Sequence, residues 1–146
     1  MRILAVDYGD ARTGMAVSDL SNTVPGEAWV FTGYTAEKVA EHIVAEASAR
    51  DVGTIVLGYP KNMDGTAGPR AEKSEALAGI IRELTDVPVV MWDERRTTVD
   101  AHRILSEAGK RGKKRKKTVD AVAATLILEG YLNSIGNAAG EEQPQP

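Results

Sequence analysis

Residues 3–18 read ILAVDYGDARTGMAVS, and this stretch decides how the rest of the chain is organised. Its first four residues are apolar, which is typical of a strand buried on both faces, and the run ends abruptly in Asp7. Two glycines and an aspartate then turn the chain, and residues 13–18 read as a second strand. We therefore predict a hairpin with a carboxylate at its mouth. That carboxylate is either a functional acid, paired to offset the cost of its burial, or a turn residue that caps its own backbone.

The composition indicates one globular domain. The chain has 146 residues, of which 42% are hydrophobic and 27% charged, a balance that supports a core of its own. It contains no Cys, which excludes a disulfide framework, thiolate-bound zinc and a cysteine nucleophile. No apolar run is long enough to cross a bilayer, and the first residues lack the pattern of a signal peptide. We therefore predict a cytoplasmic protein without membrane contact.

The order of the apolar segments predicts an α/β fold with a mixed sheet. The opening three strands indicate antiparallel pairing, and the later alternation of strands and helices indicates parallel strands joined by right-handed crossovers. We predict a five-stranded sheet covered by helices within residues 1–135, followed by a polar, disordered tail at 136–146. After the hairpin, strands are expected at 28–31, 54–57 and 87–92, and helices at 36–47 (with Thr35 as N-cap), at 70–84, from 97 or 98 to 108, and from about 118.

Apolar elements lead into an acid at three places. Asp7 ends the first strand, Glu94 follows the fifth strand, and Asp120 begins the last, largely apolar helix. Neighbouring parallel strands end at the same edge of a sheet, where ligand sites of α/β proteins occur. Two carboxylates about 4 Å apart repel each other by roughly 4 kcal/mol at an effective dielectric near 20, so three together require a cation. Oxygen ligands favour Mg²⁺ or Mn²⁺, and one or two such ions can activate water for phosphodiester hydrolysis.

Each acid also has an ordinary structural interpretation. Asp120 lies where the helix dipole alone favours an acid, and Glu94 can be a solvated residue paired with Arg95. Arg12, in the first hairpin, and Arg95 are candidates for phosphate contacts because guanidinium groups match phosphate oxygens. Their alternative is an ordinary surface ion pair, which contributes little. The joint pattern of acids favours a metal site, although spacing alone does not bring them together.

A basic segment precedes Asp120. Residues 110–117 read KRGKKRKK and hold seven of the 18 Lys and Arg residues of a chain whose net charge is -3. Such runs are usually solvated loops, but beside an acidic metal site this one would hold a phosphate backbone near the chemistry. The run has no aromatic residue, so we expect recognition of backbone and shape rather than stacking on bases. The candidate phosphate contacts are Lys113, Lys114, Arg115, Lys116 and Lys117.

Two other features are left without an assigned site. The loop at 58–69 is long and rich in Gly and Pro, as functional loops often are, and its residues 62–65 either touch the substrate or only close the fold. His42 is expected on the solvent side of the first helix, and His102 on the surface, with a supporting role as its alternative. No Ser-His-Asp or Cys-His arrangement is apparent.

Four blocks of sequence, taken in order, resemble the YqgF/RuvX family of RuvC-like nucleases. They are DYGDARTGMAVSD from Asp7, GYPKNMDGT from Gly58, DERRTT from Asp93 and KTVDAVAATLILEGYL from Lys117. The resemblance implies an RNase H-like fold with helices on both faces of the sheet. It also implies one of two activities, resolution of Holliday junctions or trimming of the 5′ end of pre-16S ribosomal RNA. Asp7, Glu94 and Asp120 match the acidic metal-binding positions of that family.

The chain departs from RuvC-type resolvases at one position. Those proteins resemble this pattern but carry a second aspartate one turn along the last helix, where this chain has Ala123. The family itself uses three acids, so hydrolysis remains compatible with the sequence. Junction resolution also needs two active sites related by a two-fold axis, and nothing in the sequence shows a dimer.

We interpret the chain as a nuclease that depends on Mg²⁺ or Mn²⁺ and acts on structured RNA or branched DNA. Its metal ligands would be Asp7, Glu94 and Asp120, and its first substrate would be the precursor of 16S rRNA, within ribosomal precursor particles. A monomer or a weak homodimer is expected. One rival is an actin-like phosphotransferase, which shares the Asp-x-Gly hairpin but needs a second lobe. The other is a non-catalytic nucleic-acid-binding module whose acids are structural.

Overall fold

The computed structural model describes residues 1–60, 68–93 and 115–142, with the backbone alone for 115–120 and 136–142. Five strands and three helices lie in this part of the chain. They are β1 (Arg2–Asp7), β2 (Arg12–Ser18), β3 (Pro25–Thr32), α1 (Ala36–Ala49), β4 (Val52–Tyr59), α2 (Pro69–Leu84), β5 (Val89–Asp93) and α3 (Arg115–Glu142). The predicted helix at 97–108 lies outside the described residues.

The five strands form one mixed sheet in the order β3-β2-β1-β4-β5. The hairpin strands β1 and β2 pair antiparallel, as do β2 and β3. β4 pairs parallel with both β1 and β5, and helices connect the parallel strands. This confirms the predicted α/β sheet and puts β1, the strand that ends in Asp7, at its centre.

Helices cover both faces of the sheet, as the resemblance implies. Along β1, Leu4 and Val6 face a core formed with α1 and α2, whereas Ile3 and Ala5 face a second core formed with α3. All four side chains are buried, which explains why β1 reads as an unbroken apolar run. The α3 side of the second core consists of Ala124, Ile127, Leu128 and Leu132.

The ends of several elements differ from the sequence-based bounds. β3 is longer than predicted, because its pairing with β2 reaches from Thr32 back to Pro25, and tertiary pairing outweighs the low strand propensity of Pro25 and Gly26. α3 starts at Arg115, not near residue 118. It continues to Glu142, seven residues past the predicted domain boundary, so residues 136–142 are helical where the sequence predicts a disordered tail. Residues 143–146 lie outside the described part. Within the ranges that the structure describes, no helix is both long enough and apolar enough to cross a membrane.

The prediction that His42 faces solvent is wrong. Its ring is half-buried and stacks on Phe31 of β3, with centroids 4.0 Å apart and planes inclined by 9°. Trp29 Nε1 donates a hydrogen bond of 3.3 Å to His42 Nε2. The Arg50 guanidinium lies over the Trp29 ring, 4.3 Å from its centroid. The helical pattern of α1 hides this contact, because it depends on where β3 places two aromatic rings.

The buried position of His42 predicts that the free energy of unfolding depends on pH. Burial is the main cause that lowers the pKa of His42 from 6.5, with a further lowering by Arg50 and an opposing effect of Glu46. His42 therefore binds a proton more readily in the unfolded chain than in the folded one. The contribution of the neutral, buried His42 to the stability of the fold is complete above pH 6.5. It is lost as the pH falls through the lower folded pKa. We expect urea unfolding between pH 8 and 5 to show a smaller loss of stability for His42→Phe than for the unchanged chain. Equal losses in both proteins would contradict the assignment.

Candidate active site

The C-terminal ends of β1, β4 and β5 lie at one edge of the sheet. The register pairs Val6 with Leu57 and Gly58 with Trp92, so Asp7 is level with the last residues of β5. One strand separates β1 from β5, which puts their backbones two strand spacings, about 10 Å, apart. The ends of the first and fifth strands therefore lie at the same edge of the sheet, as predicted.

Two glycines flank Asp7 on the α3 face of the sheet. Ile3 and Ala5 pack on that face, and strand alternation places Asp7 on it too. Gly14 is the direct partner of Asp7 in β2, and Gly58 of β4 lies on the same face as Val56, a member of the α3 core. The two strand positions directly beside the half-buried Asp7 are therefore both glycine. A larger side chain at either position would narrow the space beside the carboxylate.

α3 closes this side of the sheet. It packs across β1, β2 and β3, and Trp92 near the end of β5 meets Tyr131 of α3 edge to face, with centroids 5.9 Å apart. Position 120 lies in the helix one turn before Ala124, which is buried against the sheet. α3 therefore contacts both β1, which ends in Asp7, and β5, which precedes Glu94 in sequence.

The structure places part of the predicted site. Asp7 and Arg12 are described with their side chains, and position 120 by its backbone. The basic run is described only for the backbone of Arg115, Lys116 and Lys117, which form the start of α3. The other predicted site residues lie outside the described ranges: Glu94, Arg95, Lys113 and Lys114. No group of three or more His, Asp or Glu side chains that could hold a metal occurs within residues 1–60, 68–93 and 121–135.

The turn after β1 fixes Arg12 relative to Asp7. Arg12 opens β2 and pairs with Thr32, and alternation from Gly14 puts it on the α3 face, the face of Asp7. At Gly9 a Cβ atom would lie 2.3 Å from the Arg12 carbonyl oxygen, so the close approach of the two backbones requires glycine. The half-buried Arg12 side chain is therefore held by the same hairpin that ends in the carboxylate.

A cleft of about 130 Å³ opens at the same sheet edge but on the α2 side. It is lined by Tyr8, Gly9, Asp10, Arg70 and Lys73. Lys73 Nζ and Asp10 Oδ1 form an ion pair of 2.9 Å, and the hydrogen bond from Lys73 is the main cause that lowers the pKa of Asp10. Burial raises the pKa of Tyr8, and the nearby Lys73 opposes that rise.

The sequence pattern does not single out Arg70 and Lys73, the two basic residues of this cleft. Locally, the sequence shows only that two basic residues lie in the first turns of α2, directly after a long loop. The 63 residues that separate Asp10 from Lys73 hide the contact. In β2, the hydroxyl of Thr13 is fully buried and has no hydrogen-bond partner in the part of the chain that the structure describes.

The sequence matches known proteins over most of its length. A family model described as "RuvX: Holliday junction resolvase" covers residues 1–134. A protein of Halothermothrix orenii named "Putative pre-16S rRNA nuclease" is 47% identical over 134 residues, which are 91% of this chain and 95% of that protein. A protein of the same name from Desulfitobacterium hafniense (strain DCB-2) is 42% identical over 144 residues, 98% of this chain and 99% of its own.

Solved structures show the same fold at low sequence identity. Thermus thermophilus RuvC in complex with a Holliday junction substrate aligns with a TM-score of 0.63 and 10% identity, over 93% of this chain and 96% of that one. The fowlpox virus resolvase in complex with Holliday junction DNA aligns with a TM-score of 0.52 and 13% identity, over 92% and 99% of the two chains. These neighbours confirm the RuvC-like, RNase H-type fold.

Proposed function

Because this chain belongs to the RuvX family, we propose that it is a divalent-metal-dependent nuclease that trims the 5′ end of pre-16S rRNA. One observation carries the proposal. The carboxylate of Asp7 ends the central strand, lies between two glycines, and is level with the end of β5. Relatives at 42–47% identity bear a name for this activity, and the absence of Cys fits a cytoplasmic location.

The proposed metal ligands are Asp7, Glu94 and Asp120. The donor set fits Mg²⁺ or Mn²⁺, since it consists of carboxylates. β5 ends at Asp93, the residue before Glu94 in sequence, and position 120 belongs to a helix packed on β1. When bound, such a cation offsets the charge of the phosphodiester and assists its attack by water. The roles of this chain are to hold the carboxylates, to keep the two strand positions beside Asp7 small with Gly14 and Gly58, and to orient the substrate backbone.

The proposed contacts to the nucleic-acid backbone come from basic residues around this edge. Arg12 shares the face of Asp7, and Arg95 follows Glu94 directly in sequence. Arg115, Lys116 and Lys117 form the start of α3, which carries Asp120, and Lys113 and Lys114 precede them in sequence. Positive charge beside the acids would bind phosphates without reading bases, which suits structured RNA within ribosomal precursor particles. A monomer or weak homodimer is sufficient for this reaction.

Holliday junction resolution is the second candidate, because the family description names it. One observation on this chain argues against it: Ala123 occupies the α3 position at which RuvC-type resolvases carry a further aspartate. Cleavage of both strands of a junction also requires two sites related by a two-fold axis. We therefore place RNA processing first.

Cleavage of two labelled substrates side by side tests the proposal. A pre-16S 5′ leader and a four-way DNA junction are incubated with the protein in Mn²⁺ or in EDTA. We expect cutting of the RNA in Mn²⁺, none in EDTA, and little cutting of the junction. Preferred cutting of the junction would make the chain a resolvase, whereas binding without any metal-dependent cutting would make it a non-catalytic module.

A further inference from the structure

The cleft at Tyr8 and Lys73 lies next to Asp7 but faces the other side of the sheet. Tyr8 packs against the core formed with α1 and α2, and Asp7 lies on the α3 face. Consecutive Cα atoms are only about 3.8 Å apart, so the cleft and the proposed metal site share one edge. A nucleic-acid strand that crosses this edge would reach both.

The charges of the cleft suit an anion. Arg70 and Lys73 lie in the first turns of α2, where the helix dipole adds to their positive charge. Asp10 offsets one of them, which leaves one net positive charge. Its ion pair with Lys73 is exposed, with 87% and 59% of the two side chains accessible, so it contributes little and exchanges readily for another oxyanion.

The lining groups also suit the shape and hydrogen bonding of a phosphate. The volume of about 130 Å³ has room for several waters or one phosphate group. A guanidinium group at Arg70 can donate two parallel hydrogen bonds to non-bridging oxygens, Lys73 supplies a point charge, and the hydroxyl of Tyr8 supplies a further donor. Gly9 leaves the mouth of the cleft without a side chain.

We propose that this cleft binds a backbone phosphate of the nucleic-acid substrate, one adjacent to the phosphodiester that is cut. The inference rests on the proposed nuclease function and adds a subsite on the α2 face of the sheet. In the free protein Lys73 forms an ion pair with Asp10. On binding, the phosphate takes the place of the carboxylate, and Lys73 moves from one oxyanion to the other. Arg70 and Lys73 are therefore binding residues and take no part in bond breaking.

Binding of a labelled pre-16S 5′ leader in EDTA, where the proposed function predicts no cutting, tests the cleft. We expect the double variant Arg70→Gln/Lys73→Gln to bind about tenfold more weakly at low salt. The slope of log affinity against log salt should also fall by about one. The matched control is Arg82→Gln, which removes a cation nine residues further along α2, about 13 Å away. It should bind like the unchanged chain, and circular dichroism checks that all variants fold.

A variant that is expected to bind RNA more tightly separates an effect on binding from an effect on folding. Asp10→Asn removes the competing carboxylate and frees Lys73, so we expect it to bind the RNA about threefold more tightly. A purely structural ion pair would instead give weaker or unchanged binding in Asp10→Asn. That result would overturn the proposal.

The remaining outcomes are equally decisive. If the double variant binds RNA like Arg82→Gln while the unchanged chain still cuts RNA in Mn²⁺, the subsite is wrong and the nuclease function stands. If the unchanged chain neither binds nor cuts RNA, the nuclease function fails and the subsite fails with it. Titration with ATP tests the alternative ligand. Micromolar ATP binding that disappears in the double variant would show that the cleft binds a free nucleotide instead of a backbone phosphate.

Discussion

An Asp7→Asn variant is expected to lose Mn²⁺-dependent cleavage of RNA by at least about 100-fold while keeping its fold. Even the outer partners of metal ligands are worth 10- to 100-fold in activity, and a direct ligand is worth no less. Asparagine keeps the size of the side chain and its hydrogen-bonding oxygen, so the strand edge between Gly14 and Gly58 retains its shape. The substitution removes the negative charge at the end of β1 and replaces one acceptor oxygen with an amide donor.

Thermal unfolding separates a metal ligand from a structural acid. Mn²⁺ at about 100 times its dissociation constant should stabilise the unchanged chain by roughly 2.7 kcal/mol and raise its Tm. Asp7→Asn should lose that increase in Tm, because the proposed site then lacks one of its three carboxylates. Asp86→Asn, the same substitution at an exposed position between α2 and β5, should retain both cleavage and the shift. Undiminished cleavage by Asp7→Asn would remove Asp7 from the metal site.

A Leu57→Ala variant is expected to lose about 2–5 kcal/mol of unfolding free energy. Leu57 is fully buried in the core between the sheet and the helices α1 and α2. It belongs to β4, which pairs with β1 and β5 and immediately precedes Gly58. Truncation removes buried apolar surface and leaves a cavity that two flanking strands and two helices cannot fill.

Urea unfolding with a fitted m-value measures this loss. The matched control is Leu20→Ala at a residue that is 80% exposed, where a change within about 0.5 kcal/mol is expected. A loss below 1 kcal/mol at Leu57, with an unchanged m-value, would show that the core collapses around the vacancy. The buried α1/α2 core would then be less rigid than its packing indicates.

The parts of the fold that could be read from the sequence are those set by local pattern. The apolar run from Ile3 to Val6 is a doubly buried strand, as predicted. Thr35 caps α1 through a 3.2 Å hydrogen bond from the Lys38 backbone to its hydroxyl oxygen. Strand–helix alternation predicted the parallel pairs, because only a crossover connection joins parallel neighbours. The position of Asp7 at the end of the first strand followed from the apolar run before it, whereas the central place of that strand came from the sheet topology.

Register and long-range contact decided the rest. The pairing of Asp7 with Gly14, and the place of Gly58 on the same face, depend on how three strands align, and a slip of one residue would reverse the faces. The stacking of His42 on Phe31 and the ion pair of Asp10 with Lys73 join residues 11 and 63 positions apart. Sequence alone thus determined which segments form strands and helices and which acids follow them, because these depend on neighbours along the chain. Only the tertiary structure decided which side chains share a face or a cleft, because strand register and helix docking set those distances.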